Sequence, residues 1–143
     1  MAITSAICNS FKQEILQAEH NFTASSGNTF NLALYTSSAS LGASTTAYTT
    51  SNEVSGSGYT AKGNALTSVT PTLDSSTAVC DFADTSFTSA SFTARGCLIF
   101  NDSHSSDAAV CVIDFGSDKT VTSGTFTIQF PTADATNAII RLA

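Results

Sequence analysis

The period at which apolar residues recur changes once along this chain, and that change limits the fold more than any other feature. From Ile3 to about His20, the residues Ile3, Ile7, Phe11 and Ile15 return every fourth position with Leu16 beside them, while Asn9, Lys12, Gln13, Glu14 and Gln17 fall elsewhere. This spacing predicts one amphipathic helix with Thr4 or Ser5 as its cap. So short a helix is marginal alone in water, so its stripe needs a partner, either the chain's own sheet or another subunit. After Ser25-Ser26-Gly27-Asn28 the period falls to two. Phe30, Leu32 and Leu34 alternate with Asn31, Ala33 and Tyr35, which predicts a strand with one apolar face.

Further strands are predicted at about 48–54, 59–61, 65–72, 78–82, 91–100, 109–115, 124–130 and 138–142. The clearest alternation is Phe92, Ala94, Gly96, Leu98, Phe100, and then Phe126, Ile128, Phe130. Turn material divides them: TLDSS, NDSHSSD, FGSDK and PTADATN. Composition agrees, because 22 serines and 22 threonines stand beside ten phenylalanines, and threonine and aromatics suit a pleated surface while serine supplies turns. Many short strands without intervening helices predict a mainly β chain: an antiparallel β-sandwich or barrel-like domain with one N-terminal amphipathic helix. A length of 143 residues fits a single domain over 1–143, with 1–22 as the helix or arm and 29–143 as the sandwich.

The charge balance narrows the partners. With 5 basic against 11 acidic side chains, the formal charge is -6, which removes most of the counterion-release attraction to nucleic acid. Neither nucleic acid nor an anionic membrane is an expected partner. The first residues have no basic n-region and no unbroken apolar stretch, so the chain is expected to be made and folded in a cytosol. Cys8, Cys80, Cys97 and Cys111 are widely spaced and form no CxxC pair, which argues against zinc and against a thioredoxin-type centre. Reduced thiols serving as small core residues are expected; a bridge from Cys97 to Cys80 or to Cys111 is the alternative.

No motif for chemistry survives inspection. Asn52 to Gly63 reads NEVSGSGYTAKG, but a phosphate loop needs its lysine after the last glycine and a helix next, whereas Lys62 precedes Gly63 and no helical pattern follows. A glycine-rich turn is expected, with Tyr59 and Lys62 as exposed loop groups. Asp114-Phe115-Gly116 spells a kinase triplet without the other kinase segments, and reads as a strand ending in a turn. Asp102, His104 and Asp107 in NDSHSSD are default polar loop residues. His20 is expected to close the helix against its dipole. There is no GxSxG elbow and no favoured pair of carboxylates. The expectation is therefore a protein that is not an enzyme, with no catalytic, cofactor or metal residues.

The wording of the chain carries a resemblance. TFNLALYTSSASLGASTTAYTTSNEVSGSGYTAKGNALTSVTPTLDSSTAVCDFAD, followed by SFTARGCLIFND, AVCVIDFGSDKTV and GTFTIQFPTADATNAIIRLA, together with the start containing FKQEIL, resembles small virion structural proteins of tailed bacteriophages. The resemblance implies a non-enzymatic component of the virion, present in many copies. Its implied role is a capsid decoration or cement protein that binds and reinforces the major capsid protein lattice. A tail, neck or fibre-base protein is the alternative, and a carbohydrate- or receptor-binding β-sandwich on the virion surface is the alternative of another class. Partners are then the major capsid protein or other virion proteins, and copies of itself, trimers being suited to the threefold positions of a shell. Ile7, Phe11 and Ile15 on the helix, Tyr35, Tyr48 and Tyr59 near loops, and Arg95 as the lone cation of an apolar strand are the interface candidates.

Overall fold

The computed structural model describes residues 2–143. In chain order its elements are β1 (Ala6–Ile7), α1 (Asn9–Leu16), β2 (Phe30–Tyr35), β3 (Asn64–Ala65), β4 (Ser68–Asp74), β5 (Thr77–Phe82), β6 (Thr85–Asn101), β7 (Ala108–Ile128) and β8 (Ile140–Leu142). They form two antiparallel sheets, ordered β1-β7-β6-β2-β3 and β4-β5-β8. The mainly β, sandwich-like architecture with one N-terminal helix that the change of period predicts is the one present. Phe30 of the larger sheet and Phe82 of the smaller one meet with ring centroids 5.9 Å apart, and Phe22 stacks on Phe30 at 4.2 Å. This aromatic layer joins the sheets into one core, where rings in stacked and tilted contact add to the burial of apolar area.

All six residues of β2 are buried. The alternation of Phe30, Leu32 and Leu34 thus marks which way side chains point but not exposure, because the loops after β2 cover the second face. Tyr35 is fully buried there, and its hydroxyl donates to the Thr49 carbonyl at 2.6 Å.

The helix predicted from Ile3 is shorter than expected. It begins at Asn9, with extended Cys8 at the cap position and no side-chain cap. Ala6 and Ile7 instead pair with Val112 and Cys111, Ile3 bridges Leu41, and the Ser5 hydroxyl accepts the Asp114 N–H at 2.8 Å. The physical reason lies in the spacing: positions four apart share a face in a strand as well as in a helix, and the edge of β7 offers backbone partners that an isolated first turn lacks. His20 lies four residues past the helix end and is buried, not set on the helix dipole.

Two further expectations are corrected. Residues 48–54 and 59–61 are not strands but an irregular loop touching the sheet at isolated bridges, Tyr35 with Glu53, Ala47 with Ala108 and Ser57 with Ser91. The strands predicted at 109–115 and 124–130 are one strand, β7, and FGSDK is a bulge inside it. Between the pairs Ala94–Lys119 and Gly96–Asp114 the register shifts, leaving Phe115 to Asp118 without opposites on β6. Gly116 takes the left-handed φ of 79° there. Arg95 holds both ends of the bulge, with Nε 3.1 Å from Asp114 and Nη1 3.7 Å from Asp118. Such a bulge bends a strand without ending it.

Candidate functional site

Most titratable side chains are spent on holding loops to the sheets. Glu53 is the centre of the first cluster: its carboxylate accepts the Tyr48 hydroxyl at 2.6 Å, the Tyr59 hydroxyl at 2.7 Å and the Lys62 N–H at 2.8 Å. Burial, reinforced by Glu53, pushes the Tyr48 phenol up to about 12 and raises Tyr59 as well. Lys62 places Nζ 2.8 Å from Asp102 and 2.9 Å from Asp107, and within 6 Å of the Tyr48 and Phe100 rings at 5.7 and 5.9 Å. Lys62 and Tyr59 are therefore partly covered scaffold groups rather than open loop groups, and NEVSGSGYTAKG is a clasp for the loop after β2. Gly63 shows why glycine stands there. Its φ is 65°, and a Cβ would lie 1.8 Å from the Leu32 carbonyl oxygen.

A second cluster secures the segment after α1. The Ser103 N–H donates to Asn101 Oδ1 at 3.0 Å, so the Asn101 amide nitrogen faces His20 Nδ1 at 3.1 Å, and His20 Nε2 meets Glu14 at 2.7 Å. His104 Nε2 lies 2.8 Å from Glu19, and its Nδ1 receives the Ser106 N–H at 3.2 Å. Ser106 Oγ is also 3.2 Å from that nitrogen, which orders Ser, His and Glu as in a hydrolytic triad. Chemistry of that kind needs a nucleophile facing a cleft with oxyanion donors, and this Ser sits two residues from its His on the exposed β6–β7 loop. The arrangement ties that loop to the segment after α1.

The four thiols are free and buried, so neither bridge proposed for Cys97 is made. Burial pushes Cys8 up to about 11 and Cys80 and Cys97 up to about 12, which suppresses the reactive thiolate. Asp81 is buried beside Cys80; burial raises its pKa, the Phe82 N–H donates to Oδ1 at 2.9 Å, and Oδ2 has no hydrogen-bond partner among the described residues.

The interface candidates fall into different surroundings. Tyr35 is fully buried in the core, and Phe11, 3% exposed, shows only as part of the floor of the grooves described next. Tyr48 and Tyr59 hold Glu53, and Arg95 holds the β7 bulge. Ile7 and Ile15 do remain partly open, and they line apolar grooves. One groove opens between α1 and β8, bounded by Ile7, Ile15 and Leu16 on one side and by Ile140 and Leu142 on the other. It continues under the β4-β5-β8 sheet as a cleft of about 430 Å³ floored by Phe11, Phe22 and Cys80. A second groove lies on the other side of Ile139, against Ile113, Phe115, Phe126 and Phe130. Leu16 is 88% and Leu142 60% exposed at the mouth of the first.

Lys12, Leu16, Ile140, Arg141 and Leu142 are thus candidate contact residues that the sequence alone does not single out. Its one signal is the apolar run Ala138 to Leu142 interrupted by a cation, and nothing in that run says that the strand stands at a sheet edge. Among the described residues no helix is long and apolar enough to cross a membrane, and no cluster of His, Cys, Asp and Glu has the geometry of a metal site. Comparison with protein families, with curated proteins and with solved structures found no match to this chain.

Proposed function

We propose that this chain is a structural component of a tailed-phage particle, a decoration or cement protein that docks on the major capsid protein lattice and reinforces it. The observation that carries the reading is the apolar groove between α1 and the C-terminal strand, where Leu16 and Leu142 stand in water, with a second apolar groove beyond Ile139. Contiguous apolar surface on an otherwise well-satisfied fold marks a place of contact. The titratable groups favour the same reading, since they are engaged in fastening loops rather than converging on a cleft. The support for a phage particle is the resemblance of the chain's wording to small virion structural proteins of tailed bacteriophages. In this reading the chain is made in the host cytoplasm and ends in the virion.

A stained gel of purified virions tests this. A band comparable in amount to the major capsid protein is expected for a decoration protein. A faint band of a few copies per particle moves the chain to the tail, neck or fibre base, and its absence from washed particles removes the virion reading altogether.

A further inference from the structure

We propose that the groove between α1 and β8 receives an extended segment of another protein, apolar at alternate positions and acidic between them, which adds to the open edge of β8 as a fourth strand of the small sheet. This rests on the reading of the chain as a docking protein and names what docks.

The edge comes first. In the order β4-β5-β8, β8 pairs with β5 alone, through Ala78–Leu142, Val79–Arg141 and Cys80–Ile140. Its other side has no strand among the described residues, which leaves backbone donors and acceptors ready to pair with an incoming chain. β7 also has a long uncovered edge beyond Asp114, yet that edge is broken by the bulge at Phe115–Asp118 and carries Lys119, two devices that discourage pairing. β8 has no bulge, and its Arg141 is folded back so that Nη1 donates to the Ala135 and Thr136 carbonyls at 3.3 and 2.6 Å.

The side chains then define the visitor. Ile140 and Leu142 share one face of β8 and line the groove under the sheet. A strand added beside them projects every second side chain toward the same space, against Ile15 and Leu16. Those positions must be apolar. The intervening positions fall on the face of Arg141, and there charge decides. Of the five basic residues of the chain, Lys62 and Arg95 are ion-paired. Lys12, Lys119 and Arg141 form no ion pair among the described residues, and all three line the apolar grooves: Lys12 and Arg141 the one at β8, Lys119 the one beyond Ile139. Asp134, whose charge Arg141 senses, is turned to the Thr136 and Asn137 amides at 2.8 and 2.7 Å. A protein of net charge -6 therefore keeps the cations that form no ion pair along its apolar grooves, two of the three at β8 itself, which selects an acidic partner and disfavours a second acidic copy of itself.

The test uses the full chain and two end-capped, fluorescently labelled heptapeptides, one alternating valine with glutamate and one alternating valine with lysine. Anisotropy titrations are expected to show the glutamate peptide binding at least tenfold more tightly than the lysine peptide, with the difference shrinking in high salt. Amide hydrogen exchange is expected to slow at residues 140–142. Arg141→Glu is expected to reverse the preference, and Leu142→Asp, at an exposed position whose change leaves the melting temperature near that of the parent, to abolish binding of both. Equal binding of the two peptides, no binding of either, or protection confined to another element overturns the proposal. Sedimentation showing a dimer that Leu142→Asp dissolves gives the edge to a second copy and overturns it too. Because the readouts come from the isolated chain, a chain missing from virions leaves this result standing, whereas failed peptides with the chain abundant in virions remove edge addition alone.

Discussion

At Gly63 a single hydrogen atom decides whether the loop after β2 can close. The chain turns there with positive φ at both Lys62 and Gly63 and passes against the Leu32 carbonyl. Gly63→Ala adds a left-handed alanine and a backbone clash, and is expected to destabilise by about 3 kcal/mol, measured by urea denaturation. Gly116, equally left-handed, has nothing within 4 Å of a Cβ, so alanine there is expected to lose about 1 kcal/mol from conformation alone. Asp81 makes a different statement. Burial raises its carboxyl above the unfolded value, so the folded state holds the proton more tightly. Folding stability then declines as pH rises from the unfolded carboxylate range through the raised value, and levels off above it. Asp81→Asn removes that decline: the variant is expected to gain stability on the parent between pH 3 and pH 7, read from denaturation curves at both. If the difference between the two proteins is the same at both pH values, Asp81 is not the titrating group. The thiols give a third outcome at this scale. Their raised pKa values and burial predict no reaction with a disulfide reagent in the native protein at neutral pH, and four equivalents once it is unfolded.

At the scale of elements, the clasp formed by Lys62 shows how the irregular loop 48–63 is held. Lys62→Ala leaves Asp102 and Asp107 facing one another without their cation. Its side chain is 40% exposed, so screening by water limits the loss to about 1 kcal/mol. The folded-state pKa of Lys62 is raised by its bonds to Asp102 and Asp107. The contribution is therefore fully present below the ordinary lysine range and disappears only above it, and thermal melts at pH 7 and pH 11 are expected to show the variant's deficit at the first and a smaller one at the second. These elements also show what is legible in a sequence. The sandwich and the long alternation of β6 can be read, because a period of two is a geometric property of a strand. The loop cannot: Tyr48 and Tyr59 look like strand residues and owe their places to one carboxylate, Glu53. The start of α1 cannot either, since Ile3 and Ile7 satisfy helix and strand alike. The bulge of β7 resembles a turn in sequence because Gly116 and Asp114 use the same local chemistry in both. The grooves were half visible: Ile7 and Ile15 stand out by spacing, but Arg141 and Leu142 acquire meaning only when β8 is seen to end a sheet.

Across the whole molecule, charge and apolar surface are arranged unevenly. The paired cations lie within the scaffold, and the unpaired ones border the grooves around β8 and Ile139. If those grooves seat the chain on a particle, then Leu142→Asp is expected to fold normally and yet be released from particles by washing that leaves the parent bound. Phe11→Ala, by contrast, is expected to weaken folding by about 3–4 kcal/mol, because Phe11 is 3% exposed and sits in the core. The contrast separates docking from stability. The central claim, a virion protein that docks by the surface around its C-terminal strand, is tested most directly by a map of the intact particle at side-chain resolution. The account predicts this chain on the particle with an acidic, extended segment of a neighbouring protein lying along β8, its apolar side chains against Ile15, Leu16 and Ile140. A chain bound to the particle by another face, with Leu16 and Leu142 open to solvent, would contradict it.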